Sequence, residues 1–458
     1  MRFLNSKRLL IFLTIIGVYA FYSLAFASGG PETSGGENGH GPSPVLDVLM
    51  ELIVILLAAK LGGDLFERFK APSVLGELIF GMIIGNLHLI GFHAFEPFKH
   101  NLTLEILSEI GVIILLFEVG LESTIKEMMK VGVASFMVAV FGVVAPFFLG
   151  WGVAALFIPD HSIYVHIFIG ATLTATSVGI TARVLKDIGK VNTKEAKIIL
   201  GAAVIDDILG LVILAVVTGV ISAAAAGSSD GISSGMVLWI IAKAVLFVIG
   251  AIVIGSFLLP RFFKFGFKLK GQGVLLSFSL LICFLLAYLA GEVGLAPIVG
   301  AFAAGLILDE FQYKDFTERG EHHVEELIRP ISIFLVPIFF VRMGMMVDLT
   351  TFANTKILGF AAVLTLAAII GKQACALAIF DKAINRLAIG LGMIPRGEVG
   401  LIFASIGAKL MYDGEPVVSS TTYSAVVIMV ILTTLITPPV LMNSMLRADK
   451  KKLAAKTN

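Results

Sequence analysis

Apolar runs of about twenty residues, separated by short polar stretches, recur along nearly the whole chain. A hydrocarbon core needs about 20 consecutive apolar residues per spanning helix. Thirteen such runs follow residue 44: 45–62, 73–92, 102–121, 131–157, 163–184, 196–222, 236–258, 273–290, 294–309, 330–347, 355–380, 385–409 and 421–446. The run 294–309 is short for a span. The pattern predicts an all-α polytopic membrane protein with 13 transmembrane helices. Composition agrees: 57% of residues are hydrophobic and only 15% are charged. The net charge of +1 gives no reason to expect nucleic acid as a partner. The two cysteines, Cys283 and Cys375, lie in apolar runs and suggest neither a disulfide framework nor a metal site.

The first residues follow a different pattern. MRFLNSKRLL is basic, IFLTIIGVYAFYSL is apolar and AFAS offers small residues at a cleavage site after Ala27. Residues 1–27 therefore read as a signal peptide; the competing reading is an extra, uncleaved helix. Residues 28–44 are polar, rich in Gly and Ser and without Lys or Arg, and read as a disordered periplasmic segment. The transmembrane domain then occupies 45–446, and 447–458 form a basic cytoplasmic tail.

Charge decides the orientation. Alternate loops and the tail, beginning with Arg68 and Lys70, hold 23 Lys and Arg residues; the opposite set holds only Lys99 and Lys356. Cytoplasmic loops carry the positive excess. The mature N-terminus is therefore expected in the periplasm and the C-terminus in the cytoplasm, in a bacterial inner membrane. A miscounted span would scramble this alternation. An odd number of spans permits inverted six-helix repeats around a linker helix, so spans 5 and 12 correspond. Span 5 contains GATLTATSVGITARV and span 12 contains GLGMIPRGEVGLIFASIG. Both carry Gly and polar residues in mid-membrane, and Pro395 adds a breaker. They are predicted to be two broken crossing helices whose freed backbone groups line an ion site.

The chemistry lies next to these breaks. Asp206 and Asp207 interrupt the apolar run of span 6. An Asp at the bilayer centre costs roughly 2.5–3.5 kcal/mol, so intramembrane acids mark ion or proton sites. The two are about 100° apart on a helix and face different neighbours. Lys372, midway along span 11, needs an acidic partner or must lose its proton. Asp206 is the natural partner, which leaves Asp207 as primary ligand for a monovalent cation such as Na⁺. Thr174, Thr176 and Ser177 in the first break can add oxygen ligands. A desolvated carboxylate holds a proton more readily, so one acid can carry either a proton or a cation. The alternative for Asp206–Lys372 is a purely structural ion pair. Arg396 and Glu398 flank the second break; they are expected to pair with each other, with helix ends or with Glu118 of span 3, in a structural or gating role. Arg342 and Asp348 are expected to snorkel to the outer interface, and Glu77 to be an interfacial charge. His322 and His323 lie in a cytoplasmic loop that is expected to be solvated.

TATSVGIT, AAVIDDILGLV, IIGK and PRGEVGLIFA, in this order, resemble the cation:proton antiporter superfamily over about residues 45–446. The closest likeness is to its second branch, the bacterial sodium/proton antiporters of the NapA type. The resemblance implies a homodimer, with a dimerisation side and a six-helix core that moves like an elevator. It implies Asp207 as the essential ion-binding carboxylate, Asp206 as the partner of Lys372, and Thr176 with the span 5 break as part of the site. In that family Asp-Asp accompanies electrogenic exchange and Asn-Asp electroneutral exchange; this chain has Asp-Asp. Many relatives carry a cytoplasmic nucleotide-binding domain. No Gly-rich dinucleotide motif follows the last run here, so such regulation is expected to be absent or supplied by another chain. The expected function is exchange of Na⁺, with Li⁺ as a further candidate, for H⁺, with no cofactor and no enzymatic chemistry. K⁺/H⁺ exchange is the alternative; a cation channel or a sodium-coupled solute symporter are further ones. No P-loop signature supports primary pumping.

Overall fold

The computed structural model describes residues 44–69, 72–122, 132–190, 192–225, 234–269, 271–308, 322–381 and 384–457, together with 313, 316, 318 and 320. The signal peptide and nearly all of the periplasmic segment expected over 28–44 lie outside the described residues, as does the side chain of Glu398. The helices are α1 Pro44–Arg68, α2 Ser73–Gly85, α3 Leu102–Glu122, α4 Val133–Phe157, α5 Ile163–Thr172, α6 Val178–Asp187, α7 Lys194–Ala225 and α8 Ser234–Gly266. They continue as α9 Val274–Glu292, α10 Pro297–Ile307, α11 Val324–Met345, α12 Thr355–Gln373, α13 Arg386–Gly392, α14 Gly397–Lys409 and α15 Ser420–Thr457.

Every apolar run in the sequence contains at least one α-helical segment. Among the described residues, six helical segments are long and apolar enough to cross a membrane by length and composition: Val133–Phe157, Lys194–Ala225, Leu238–Gly266, Val274–Glu292, Thr355–Ala378 and Ser420–Arg447. Several ends differ from the sequence reading. The run 73–92 does not continue as one helix: α2 stops at Gly85, and a 3₁₀ turn over Leu87–Ile90 ends at Gly91 with φ 85°. Only glycine adopts that conformation without strain. The last helix runs on through the basic tail to Thr457. After α14, Met411–Tyr412 and Glu415–Pro416 form a small antiparallel hairpin. Asp413 and Gly414 both have positive φ at its turn, the pairing that an Asp-Gly hairpin favours.

The chain forms two compact units. One comprises α1, α2, α3 up to Gly111, and residues 333–349. Its helices approach through glycine. Gly62 and Gly76 bring α1 and α2 into backbone contact, and Gly81, Gly85 and Gly344 do the same for α2 and α11. Membrane helices lack a hydrophobic drive towards one another, so close approach through small residues takes its place. Arg342 is only 6% exposed in this unit. It pairs with Glu105 at 3.3 Å and donates to the Lys99 carbonyl, so it faces inward and does not snorkel. Glu77, near the start of α2, is 8% exposed, because the close α1–α2 approach leaves little room for solvent.

The other unit holds residues 112–332 and 350–458. In it α4 packs on α5, α7 and α12, and α15 lies against α12 and α14. Gly300 of α10 meets the backbone of α9 at Leu286. All of the candidate ion-site residues belong to this unit.

Candidate ion-binding site

Two helices of this unit are interrupted. The first stops at Thr172 and resumes at Val178; the second stops at Gly392 and resumes at Gly397. Each break frees carbonyls at the end of its first half and N–H groups at the start of its second. The breaks meet: Ser177 donates its N–H to the Pro395 carbonyl at 2.8 Å, and Thr181 Oγ1 donates to the Gly392 carbonyl at 2.7 Å. A methyl group on Gly397 would lie 2.5 Å from both Cβ and Oγ of Ser177. Gly397→Ala is therefore expected to push the breaks apart, lowering the thermal midpoint in detergent and the rate of cation exchange together.

Arg396 closes the crossing. Its side chain is fully buried. It donates to the Ala175 carbonyl in the first break and, at 3.3 Å, to the Ala368 carbonyl of α12. Of the partners open to it from sequence, the structure records a backbone carbonyl freed by a helix break, at Ala175, and it adds a carbonyl within α12. Its Nε has no hydrogen-bond partner among the described residues. Glu118 instead accepts a 2.6 Å bond from Ser332 of α11.

Asp206 and Asp207 lie in the first half of α7. Lys372 Nζ donates to Asp206 Oδ1 at 2.9 Å, and both side chains are completely buried. The lysine reaches the acid because α4 is thinned between them. A Cβ at Gly142 would lie 2.8 Å from Cys375 Sγ, 3.5 Å from Lys372 Nζ and 3.7 Å from Asp206 Oδ1. One turn on, Pro146 packs against Gly371. Proline has no N–H, so the Gly142 carbonyl loses its normal helical donor beside the pair. Neither Gly142 nor Pro146 was marked by sequence reasoning; a glycine and a proline four residues apart within an apolar span is the signal that would have found them.

Asp207 points elsewhere around α7 and is half-buried. One turn after the acids, Gly210 faces the first break, where its Cβ would lie 4.0 Å from Thr174 Oγ1. Thr174, Thr176 and Ser177 are all buried in that break. Thr174 Oγ1 donates to the Ala171 carbonyl at 2.7 Å, which leaves its lone pairs as acceptors. Thr176 Oγ1 and Asp206 Oδ2 are buried without a hydrogen-bond partner among the described residues. Unsatisfied buried oxygens suit a desolvated hard cation or a proton.

Paired broken helices beside two adjacent acids, one of them buried on a buried lysine, define a membrane ion transporter of the exchanger class. The sequence model of one family, described as "Sodium/hydrogen exchanger, transmembrane", matches residues 53–443. The chain belongs to the sodium/hydrogen exchanger family and is a transporter, not an enzyme. It is 41% identical over 414 residues to the high-affinity Na⁺/H⁺ antiporter NhaS3 of Synechocystis, covering 81% of this chain and 85% of that protein. It is 38% identical over 364 residues to the probable Na⁺/H⁺ antiporter GerT of Bacillus cereus, covering 78% and 90%. Its fold is similar to that of the sodium proton antiporter MjNhaP1 of Methanocaldococcus jannaschii, with a TM-score of 0.63, 18% identity, and coverage of 88% of this chain and 97% of that one.

Proposed function

We propose that the protein exchanges Na⁺ for H⁺ across a bacterial inner membrane through competition of the two ions at Asp207. The observation that carries this reading is the division of the adjacent acids. Asp206 is tied to Lys372, while Asp207 projects from the same helix in another direction, one turn before the face that meets the first break. A carboxylate held among hydroxyls and freed carbonyls can bind a dehydrated cation or a proton, but not both at once. Loading one ion therefore releases the other. The similarity to the Na⁺/H⁺ antiporters NhaS3 and GerT favours Na⁺ as the cation.

Thr174, Thr176 and Ser177 complete the proposed ligand set. Arg396 keeps the break in shape, Pro395 sets the second break, and Glu398 and Glu118 act in gating. In this reading the thirteen apolar runs are thirteen spans arranged as inverted repeats, with the N-terminus outside and the C-terminus inside. The 23-to-2 charge asymmetry supports the orientation. The corresponding positions of the two breaks support the repeat. Exchange is proposed to be electrogenic and to proceed by elevator-like movement of the core within a homodimer.

Reconstitution with a pH dye sealed inside the liposomes tests the function. Adding Na⁺ outside acid-loaded vesicles should alkalinise the lumen, and Li⁺ should act similarly. If K⁺ alone produces the response, the protein is a K⁺/H⁺ exchanger. If Na⁺ enters without proton movement, the channel reading replaces exchange.

A further inference from the structure

Lys372 has more hydrogen-bonding capacity than its recorded contacts use. A lysine ammonium carries three N–H donors. Among the described residues one hydrogen bond is recorded for it, to Asp206 Oδ1 at 2.9 Å. The side chain is completely buried, so solvent satisfies none of the others. Buried polar groups are normally paired.

An acceptor with the matching shortage lies beside it. In α4 the Gly142 carbonyl would ordinarily accept from the N–H four residues on, but residue 146 is proline and has none. Gly142 and Pro146 are both buried, and both touch α12. A Cβ on Gly142 would lie 3.5 Å from Lys372 Nζ. A Cβ on Gly371, the residue before the lysine, would lie 3.0 Å from the Pro146 ring nitrogen. The two residues that bracket this carbonyl therefore meet α12 within one residue of Lys372.

We propose that the Gly142 carbonyl is a second seat for the Lys372 amino group, taken when an entering cation draws Asp206 away from the lysine. The inference rests on the exchange reading: a cation at Asp207 is one residue from Asp206 and competes with the lysine for it. Asp206 Oδ2 is without a hydrogen-bond partner among the described residues, so the carboxylate has ligand capacity to offer. Without the seat, a cation that takes Asp206 strands a buried amino group, which opposes cation binding. With it, the N–H that leaves Asp206 keeps an acceptor. The seat serves the amino group whether or not it gives up a proton, because both forms donate N–H. Pro146 is then a positioning residue, acting on the cation through the Gly142 carbonyl and Lys372.

Pro146→Ala and Pro146→Val test the proposal in proteoliposomes of the full chain, with exchange rates followed over a range of Na⁺ concentrations. Either replacement supplies an N–H that reaches back to the Gly142 carbonyl and occupies the seat. Both should raise the KM for Na⁺ about ten-fold, the worth of one hydrogen bond, with kcat unchanged. Valine nearly keeps the volume that proline presents to Gly371, so a packing effect would appear in the alanine variant alone, with a lowered thermal midpoint. An unmoved KM in both variants overturns the seat. A fall in kcat at unchanged KM, or an effect confined to alanine, also overturns it and marks Pro146 as packing only. A parent chain without any response to Na⁺ removes the exchange reading and the seat with it, because nothing then displaces the lysine. A responsive parent with unmoved variants removes the seat alone.

Discussion

Asp207→Asn proteoliposomes are expected to show no Na⁺-driven collapse of an imposed pH gradient above that of empty liposomes. Asparagine keeps the shape of the side chain and removes its charge. It can neither bind and release a proton in the working pH range nor neutralise a bare cation, so both halves of the exchange are lost at once. Asp207 is half-buried, and its neutral isostere should leave the thermal midpoint close to that of the parent protein. The loss is then one of chemistry and not of folding. Retained exchange in folded Asp207→Asn would remove the assigned role, and the same substitution at Asp206 would become the next test.

Lys372→Ala is expected to act first on stability. The lysine is fully buried and its recorded partner is Asp206 at 2.9 Å. Removing one member of a buried pair strands the other and costs about 3–5 kcal/mol. Asp206 already has one unsatisfied oxygen, so both would then lack donors. Neutralising both partners, as in Asp206→Asn with Lys372→Gln, should recover much of the midpoint, because no lone charge remains. Transport separates structure from proton carriage. If the lysine gives up its proton during the cycle, the doubly neutral variant still exchanges, but its equilibrium no longer shifts when the membrane potential is clamped at different values. An unchanged voltage dependence would leave Lys372 a structural cation only.

The elements were largely legible because the bilayer imposes length and polarity on each run. The breaks were legible from Gly, Pro395 and polar residues in mid-span, since a freed backbone needs such residues to survive in hydrocarbon. Arg342 was misread, because a charge near the end of a run can either snorkel or turn inward. Here glycine contacts between α1, α2 and α11 close the packing, and Glu105 with the Lys99 carbonyl supplies an inward partner for Arg342. The 3₁₀ turn after Gly85 was missed because Leu87–Ile90 is as apolar as the helix before it. Hydropathy does not register a change of backbone hydrogen bonding.

The sequence by itself determined that two acids and a lysine interrupt apolar runs and that a buried lysine there needs a counter-charge, since desolvation penalises a lone charge whatever the packing. It also determined where two helices must break. Tertiary structure decided the rest. Adjacent residues on α7 differ by about 100° in direction, and the glycine gap in α4 admits Lys372 to Asp206. Arg396 finds its partners in carbonyls 221 and 28 residues away, and nothing local to PRGE specifies them. Backbone carbonyls are the same at every position, so only the folded crossing of the two breaks selects which of them a buried guanidinium will meet.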